Sequence, residues 1–321
     1  MSKLRIFIVI LAIAIYYFLI HGRCEYKGDE RLDGKTVIIT GANTGIGKEA
    51  AIDLARRGAR VICACRSKSR GEAAVEDIKN ISGNNNVVLK MLDLGSLNSI
   101  RQFAKDINAK EERLDVLINN AGLVICPNYN TTEDGFERMM GVNHLGHFLL
   151  TNLLLDLLKK SQPSRIVVVT SEAHRTLVSE MDLEDLMSEK SYSGTSGYGH
   201  SKLANILFSL ELSKRLKDTS ITINSLHPGA VMTDLGRHIE DYLHLPPFLL
   251  EALRWTLSIF VRDARQGAQT IICLAVDKSL QSVSGKYFAD CEISRESAAA
   301  RNETAAKLLW DISEKLVNLS T

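Results

Sequence analysis

The chain has 321 residues, which is enough for one large domain or two small ones. A hydrophobic fraction of 45% and a charged fraction of 24% are ordinary for a globular protein with a substantial core. The formal net charge of +1 gives no electrostatic reason to expect nucleic acid or a strongly acidic partner. The sequence also contains no helix-turn-helix, zinc-finger or RNA-binding signature.

The first predicted element is the apolar run Ile6–Ile20. It is short for a membrane span, which needs about 20 residues, yet longer and bulkier than many signal-peptide cores, and no small-x-small cleavage site follows it. An uncleaved membrane anchor over residues 1–23 is favoured over a cleaved signal peptide and over a buried soluble helix. Basic residues flank both ends, so the positive-inside rule leaves the orientation open. Residues 24–33 then form a polar connector to a domain over residues 34–321.

From Lys35 onward, short β-branched runs alternate with amphipathic helical stretches. Most of the runs are apolar on both faces, as buried parallel strands are. The predicted strands are Thr36–Thr40, Arg60–Ala64, Val87–Met91, Val116–Asn119, Arg165–Thr170, Thr222–Leu226 and Lys286–Ala289. The helical patterns between them include Ile46–Arg57, Gly71–Ile81, Asp134–Lys159 and Gly197–Leu216. This alternation predicts a single α/β domain with a Rossmann-type, doubly wound parallel sheet and helices on both faces.

A glycine cluster, Thr40–Gly47, follows the first strand and opens the first helix. Gly41 permits the tight turn, Gly45 lets backbone approach a pyrophosphate, and Gly47 allows close helix–strand packing. The helix N-terminus offers free N–H groups to phosphates. Glycines occur in many turns, but this strand–turn–helix context is the one that dinucleotide binding requires. The predicted ligands in the turn are Gly41, Asn43, Thr44, Gly45, Ile46 and Gly47.

The end of the second strand indicates which dinucleotide binds. An Asp or Glu there would bond the ribose 2′-hydroxyl and repel a 2′-phosphate, but the sequence reads Cys63-Ala64-Cys65-Arg66. The Arg66 guanidinium can pair with a 2′-phosphate; the alternative is a solvent-exposed arginine that opens a basic loop. The missing acid and the present base together favour NADP(H).

Two further segments complete the predicted cofactor site. Asp93, after the third strand, is placed to meet the adenine. Asn119-Asn120-Ala121-Gly122 ends the fourth strand and should line the crevice at the carboxyl edge of the sheet, where ligands bind in such folds.

Tyr198 and Lys202 lie one helical turn apart on the same face of a predicted helix. A phenol is a poor base at neutral pH, but a nearby cation and an oxidised nicotinamide both favour the phenolate. The pair can then exchange a proton with a carbonyl or alcohol oxygen while a hydride moves to or from the cofactor. The spacing alone also occurs by chance on helix surfaces.

Two more residues strengthen the catalytic interpretation. Ser171 ends the fifth strand, at the edge where the reactive ring of the cofactor should lie, and its hydroxyl can bond the substrate oxygen. Asn143 lies inside a long helix and needs a polar partner there. A water-mediated proton path to Lys202 would supply one, although a structural role is the alternative.

The cysteines and histidines do not predict a metal site. The six cysteines are too sparse for a disulfide framework, and Cys63 and Cys65 are best explained as buried thiols in a reduced compartment. His144 and His147 are flanked by apolar residues and are best explained as structural histidines.

Two stretches elaborate the fold. Residues 174–195 separate a strand end from the Tyr198 helix without clear periodicity. Residues 237–262 are unusually apolar, and two explanations remain open: an ordinary helix packed on the core, or a hydrophobic lid over a substrate pocket.

In order and approximate spacing, six motifs resemble those of the short-chain dehydrogenase/reductase family. They are Thr40–Gly47, Asn119–Gly122, Asn143, Ser171, the Tyr198/Lys202 pair and Pro228-Gly229. The resemblance implies Tyr198 as general acid/base, Lys202 as modulator of its pKa and ribose ligand, Ser171 as donor to the substrate oxygen and Asn143 as relay. It also implies that the segment from His227 to Thr233 cradles the nicotinamide, with Pro228, Gly229, Val231 and Thr233 as ligands.

A closer resemblance is to the microsomal retinol dehydrogenases. It is carried by the N-terminal anchor, Cys65-Arg66-Ser67, Val142–Phe148, the wide gap between Ser171 and Tyr198, His200–Asn205 and Tyr287–Cys291. It implies NADP(H), a long apolar retinoid substrate and a cytosol-facing domain on the endoplasmic reticulum. Thr170 departs from the family, which usually has serine there. Gly194, Gly197 and Gly199 predict a flexible approach to the catalytic helix.

The leading hypothesis is NADP(H)-dependent interconversion of retinol and retinal, or of a similar apolar alcohol and carbonyl. The alternatives are reduction of steroid or fatty carbonyls, and a non-catalytic membrane scaffold that binds a dinucleotide. The partners expected are a small apolar substrate and a membrane, without nucleic acid, and a homo-oligomer remains open. Four N-glycosylation sequons bear on orientation, at Asn80, Asn130, Asn302 and Asn318.

Overall fold

The computed structural model describes residues 24–124, 126, 128–231 and 262–319. The predicted anchor, residues 1–23, lies outside the described residues, as do Thr233 and nearly all of the apolar stretch 237–262. No helix in the described part of the chain is both long and apolar enough to cross a membrane.

The described residues form one eight-stranded sheet in the order β3-β2-β1-β4-β5-β6-β7-β8. Seven strands are parallel, and β8 pairs antiparallel with β7. The strands are β1 Thr36–Thr40, β2 Arg60–Cys65, β3 Val87–Met91, β4 Val116–Asn119, β5 Ser164–Val169, β6 Ile221–His227, β7 Tyr287–Ala289 and β8 Glu292–Ile293. The predicted Rossmann-type parallel sheet is therefore confirmed, and every predicted strand is present to within two residues at either end.

Helices cover both faces of the sheet, α1, α2 and α7 on one side and α3, α4 and α6 on the other. The helices are α1 Gly45–Arg56, α2 Lys68–Ser82, α3 Leu97–Lys110, α4 Gly146–Lys160, α5 Ala173–Thr176, α6 Gly194–Arg215, α7 Ala264–Val276 and α8 Glu303–Leu316. Strand order reverses between β1 and β4, and such a reversal opens a crevice at the carboxyl edge of the sheet. The fold thus places a ligand site after these two strands.

The predicted helix Asp134–Lys159 is shorter than expected and begins with a π-helical turn, Met140–Leu145, that leads directly into α4. Its start is set by Glu137, whose carboxylate accepts hydrogen bonds from the backbone N–H groups of Met139 and Met140. π turns of this kind are rare and often occur at functional sites.

Helix α6 begins at Gly194, three residues before the predicted start. A Cβ atom at Gly197 would lie 2.8 Å from the Met139 side chain, and one at Gly199 would lie 2.9 Å from Val178. These glycines therefore allow close packing inside a helix, and the expected flexible approach to the catalytic helix was wrong.

A disulfide joins Cys24 to Cys291, a pairing that the sequence did not predict. The two residues are 267 positions apart in the sequence, so spacing gave no signal, but folding brings their Cα atoms to 6.5 Å, within reach of a disulfide. Cys63 and Cys65 are free and buried in β2, and burial raises the pKa values of their thiols to about 12 and about 11. The buried-thiol interpretation of that pair is confirmed.

The C-terminal helix α8 is held by an aromatic cluster. The Trp310 ring stacks on Phe208 of α6 at 5.9 Å and meets Phe148 of α4 edge-on at 4.8 Å between centroids. The Arg215 guanidinium lies 4.2 Å from the Trp310 ring centroid. Because Trp310 is 4% exposed, this cluster makes α8 part of the core.

Candidate active site

A cavity of about 520 Å³ opens at the carboxyl edge of the sheet, where the strand order reverses. It brings together residues that lie far apart in the sequence. Those predicted from the sequence are Gly41, Asn43, Thr44, Gly45, Ile46, Gly47, Arg66, Asp93, Asn120, Ala121, Gly122, Ser171, Tyr198, Lys202, Pro228, Gly229 and Val231. Two predicted residues that the structure describes do not line the cavity: Asn143, and Asn119 of the Asn119–Gly122 segment.

The glycine turn at the N-terminus of α1 has the conformation that its glycines allow. Gly41 and Gly45 have positive φ values of 68° and 58°, which other residues adopt at a cost. A Cβ atom at Gly47 would lie 2.4 Å from Asn120 Nδ2 and 2.7 Å from the Gly41 carbonyl oxygen. The turn therefore leaves space for a phosphate at the N-terminus of α1, where the first N–H groups of a helix have no intrahelical acceptor.

Arginines border the cavity near the end of β2. Arg66 and Arg70 both line it, and Ser67 lies between them. Both arginines are exposed, and Arg66 makes no hydrogen bond or ion pair with any other described residue. The guanidinium is thus available to an anionic ligand. Arg70 and Ser67 were not predicted as ligands, although the basic loop after β2 was the signal that could have identified them.

Thr40 connects the glycine turn to the end of β4. Its hydroxyl accepts hydrogen bonds from the backbone N–H groups of Asn120 and Ala121, both at 2.9 Å. The Asn120 side chain donates in return to the Thr40 carbonyl oxygen at 2.8 Å. These bonds hold the two strand ends together at the floor of the cavity.

Ser171, Tyr198 and Lys202 meet at one end of the cavity. The Ser171 hydroxyl lies close enough to the Tyr198 phenol to favour the ionised form of the phenol. Lys202 Nζ lies 5.6 Å from the centroid of the Tyr198 ring and donates a hydrogen bond of 3.3 Å to the Val169 carbonyl oxygen. The arrangement unites a hydroxyl donor, a phenol and an amine around one open space.

Burial dominates the ionisation of this group. It raises the pKa of Tyr198, against the opposing effect of the Ser171 hydroxyl. It lowers the pKa of Lys202 from the usual 10.5 to about 8. The sequence predicts that Lys202 and an oxidised nicotinamide together favour the phenolate. In this structure desolvation dominates the pKa of Tyr198, and Lys202 Nζ donates to the Val169 carbonyl oxygen.

Asn143 is fully buried behind the cavity, in the π turn. Its side chain accepts from the Leu123 N–H at 2.7 Å and donates to the Leu123 carbonyl and to Ser201 Oγ, both at 3.0 Å. A Cβ atom at Gly122 would lie 3.4 Å from both Asn143 Oδ1 and Lys202 Nζ, so the two groups border the same glycine. Asn143 thus holds the Gly122–Leu123 segment in place, and Gly122 lies between the side chains of Asn143 and Lys202.

The Pro228–Val231 segment closes the cavity after β6. Gly229 has a φ of 87°, and Arg262 donates to the Pro228 carbonyl oxygen at 3.4 Å while pairing with Asp290 at 2.5 Å. Pro228, Gly229 and Val231 occupy the predicted positions, whereas Thr233 lies outside the described residues.

Apolar side chains form part of the cavity wall. Leu123, Val124 and Val142 line the cavity and are only partly buried, and Leu123 and Val124 directly follow Gly122, where a Cβ atom would lie 3.4 Å from Lys202 Nζ. They were not predicted, because Leu123 and Val124 follow β4 in an irregular segment that has no periodicity to interpret.

The short chain dehydrogenase family model matches residues 35–243. The chain therefore belongs to the short-chain dehydrogenase/reductase family and is an oxidoreductase of that family. Among similar proteins, human retinol dehydrogenase 11 is 49% identical over 289 residues, covering 90% of this chain and 87% of that protein. Human retinol dehydrogenase 14 is 48% identical over 311 residues, covering 92% and 90%.

A solved structure shows the same fold. An uncharacterised protein from Mycobacterium paratuberculosis superposes with a TM-score of 0.72 at 35% identity, covering 90% of this chain and 95% of that chain. The resemblance to retinol dehydrogenases that the sequence motifs indicated is confirmed by the identities across most of the chain.

Proposed function

We propose that this protein is an NADP(H)-dependent oxidoreductase that interconverts retinol and retinal or a similar apolar alcohol and carbonyl. The observation that carries the proposal is the single cavity in which the glycine turn, Arg66 and the Ser171–Tyr198–Lys202 group face one another. The similarity to retinol dehydrogenases supports the choice of substrate class.

In the proposed reaction, the phenol of Tyr198 gives its proton to the carbonyl oxygen and becomes a phenolate. Ser171 donates a hydrogen bond to the same oxygen as its negative charge develops. The ammonium of Lys202, buried beside the phenol, stabilises the phenolate. When bound, the nicotinamide supplies the hydride that reduces the carbonyl carbon. Oxidation of the alcohol reverses each proton step. Asn143 holds the part of the site through which the proton relay to Lys202 would run.

Arg66 and Arg70 support the preference for NADP(H). The cavity wall at the end of β2 carries two guanidinium groups and no carboxylate among its described lining residues there. A 2′-phosphate would form charge-assisted bonds with this wall, whereas a ribose 2′-hydroxyl would find no acidic partner.

The apolar wall supports a lipid-like substrate. Leu123 and Val124 line the cavity and directly follow Gly122, which borders Lys202, and apolar surface of this kind favours a hydrophobic chain over a polar one. A steroid ketone or a fatty aldehyde fits the same description, so the substrate must be established by direct comparison.

Steady-state kinetics on retinal, steroid ketones and long aldehydes, each with NADPH and NADH, test the proposal. We expect the highest kcat/KM with retinal and NADPH. In Tyr198→Phe, turnover should fall by about 10²- to 10⁴-fold, the usual contribution of a general acid, while NADPH binding persists. A fully active Tyr198→Phe variant would refute the mechanism. Tight NADPH binding without hydride transfer to any carbonyl would instead favour the scaffold.

We also propose that residues 1–23 anchor the protein in the endoplasmic reticulum membrane, with the catalytic domain on the cytosolic side. The free thiols of Cys63, Cys65, Cys126 and Cys273 support the cytosolic side, because a reduced compartment keeps cysteines as thiols. The alternative is a lumenal domain, and the disulfide between Cys24 and Cys291 is the observation that would fit it. The sequon residues Asn80 and Asn130 are exposed and would be accessible to glycosylation there. Endoglycosidase treatment and thiol alkylation of intact microsomes distinguish the two orientations. A mobility shift after endoglycosidase treatment, together with thiols that are protected from alkylation, would contradict the cytosolic orientation and favour the lumenal one.

A further inference from the structure

The Thr40 hydroxyl has four hydrogen-bonding neighbours, one more than it can bond at the same time. A threonine hydroxyl donates one hydrogen bond and has two acceptor lone pairs. The N–H groups of Asn120 and Ala121 occupy both lone pairs. The hydroxyl proton must therefore point to one of two remaining atoms, His147 Nε2 at 2.9 Å or the Ile118 carbonyl oxygen at 3.4 Å.

This count determines which ring nitrogen of His147 carries the proton. If Nε2 were protonated, its N–H would face an oxygen whose lone pairs are both taken. Nε2 is therefore the acceptor and Nδ1 carries the hydrogen, which it donates to the Asn143 carbonyl oxygen at 3.0 Å. One imidazole thus joins the cofactor-binding turn to the π turn before α4.

The carbonyl group and the side chain of Asn143 extend this hydrogen-bonded connection to α6, the helix that carries Tyr198 and Lys202. Asn205 of α6 donates a second hydrogen bond of 3.0 Å to the same carbonyl oxygen. The Asn143 side chain donates to Ser201 Oγ, and that hydroxyl donates to the Tyr198 carbonyl oxygen at 2.8 Å. Both contacts lie on the helix that carries Tyr198 and Lys202.

We infer that His147, as the neutral Nδ1–H tautomer, is a positioning residue that holds the cofactor-binding turn in register with Asn143 and the Tyr198–Lys202 helix. The catalytic part of this inference rests on the proposed function. The tautomer itself rests only on the hydrogen-bond geometry.

The surroundings of His147 keep its ring neutral. The side chain is 1% exposed, and burial lowers its pKa to about 4, with the nearby Lys202 charge acting in the same direction. A protonated ring would lose its acceptor for Thr40 and add a second buried positive charge beside Lys202. The ring therefore keeps one donor and one acceptor at neutral pH.

Nitrogen-15 NMR of the imidazole groups in the full-length, detergent-solubilised protein tests the tautomer directly. The chain has eight histidines, and the signal lost in His147→Gln identifies the ring. We expect one protonated and one unprotonated nitrogen, with Nδ1 protonated, both with and without NADPH. A protonated Nε2 or an imidazolium would overturn the inference, whatever the substrate of the enzyme proves to be.

Two substitutions of His147 each keep one of its two hydrogen bonds and lose the other. Asparagine at position 147 can place an amide N–H near the Nδ1 position, toward the Asn143 carbonyl, but cannot reach Thr40. Glutamine can place an amide oxygen near the Nε2 position, toward Thr40, but loses the Asn143 bond. We expect His147→Gln to lower kcat by roughly 10- to 100-fold with little change in the Kd for NADPH, as small misplacements of catalytic groups do. We expect His147→Asn to weaken NADPH binding more than it lowers kcat.

His144→Gln is the matched control. His144 is 1% exposed and lies in the π turn, three residues before His147. Its ring bonds Ser313 of α8 at 3.0 Å and Asn205 of α6 at 3.4 Å, and neither partner belongs to the cofactor-binding turn. It should lose comparable thermal stability without the split between kcat and Kd. If folded position-147 variants keep kcat and Kd within twofold, or lose both in step with the control, the inference is wrong. Should the variants not fold, the wild-type NMR result decides it. A wild-type protein without hydride transfer would refute the proposed function and leave the tautomer standing.

Discussion

Replacement of Lys202 by methionine should stabilise the cofactor-free protein while abolishing its activity. The amine is 4% exposed and makes one hydrogen bond, to the Val169 carbonyl, so the folded state holds a charge that is poorly solvated. Its pKa falls from the usual 10.5 to about 8. The difference of 2.5 units, at about 1.36 kcal/mol per unit, corresponds to a cost of about 3 kcal/mol at neutral pH. Methionine fills similar space without that cost.

The pH dependence gives the sign of this effect. Below pH 8 the lysine is protonated in both states, so the native state bears the whole cost. Between about pH 8 and 10.5 the unfolded lysine keeps its proton and the native one does not, so the stability of the wild-type protein rises with pH. The advantage of Lys202→Met should be largest at pH 7 and should vanish near pH 10.5.

Denaturant unfolding of both proteins at pH 7, 8, 9 and 10 measures the difference, and subtracting the two curves removes the contribution of every other titrating group. A variant that is less stable than wild type at pH 7 would refute the reasoning, as would a difference that does not change with pH. Retained turnover in the variant would separately contradict the proposed role of the ammonium.

Three further changes test the site and the fold. Arg66→Ala should raise the KM for NADPH by about tenfold and leave the KM for NADH unchanged. A charge-assisted hydrogen bond contributes about 1.5–3 kcal/mol, and the exposure of Arg66 keeps its contribution at the lower end. Lys68→Ala is the neighbouring control, and an equal rise in KM for both dinucleotides would contradict the prediction. Gly47→Val should abolish NADPH binding, measured by fluorescence titration of folded protein, because its Cβ would collide with Asn120 and Gly41. Trp310→Ala should lower the unfolding free energy by about 3–5 kcal/mol in guanidinium, the usual cost of removing a buried aromatic; a loss below about 1 kcal/mol would show that α8 is peripheral.

Parallel strands and the residues that follow them could be predicted from the sequence. Buried strands of a parallel sheet are apolar on both faces, so β1 and β4 appear as uninterrupted runs with polar residues at their ends. In this topology the carboxyl ends of neighbouring strands meet at one edge. Ser171 and Asn120 could therefore be placed in one site before their distance was known.

Contacts that depend on tertiary geometry could not be predicted in the same way. The disulfide between Cys24 and Cys291 links positions with no local pattern in common. The raised pKa of Tyr198 likewise depends on how deeply its phenol is buried, and the direction of the Lys202 amine depends on where the Val169 carbonyl lies. A spacing of four residues shows that two side chains share a helix face, but not which of them faces a carbonyl group.

His144 of the π turn and His147 of the first turn of α4 show where the limit lies. Both are expected from their apolar neighbours to be structural, and both are buried and neutral, with pKa values lowered to about 4. Their partners nevertheless differ, because the His144 ring reaches Ser313 of α8 and the His147 ring reaches Thr40 at the cofactor-binding turn. Composition and periodicity do not distinguish the His144 ring from the His147 ring. Only the count of donors and acceptors around Thr40 separates a histidine that fills the core from one that holds two halves of the site together.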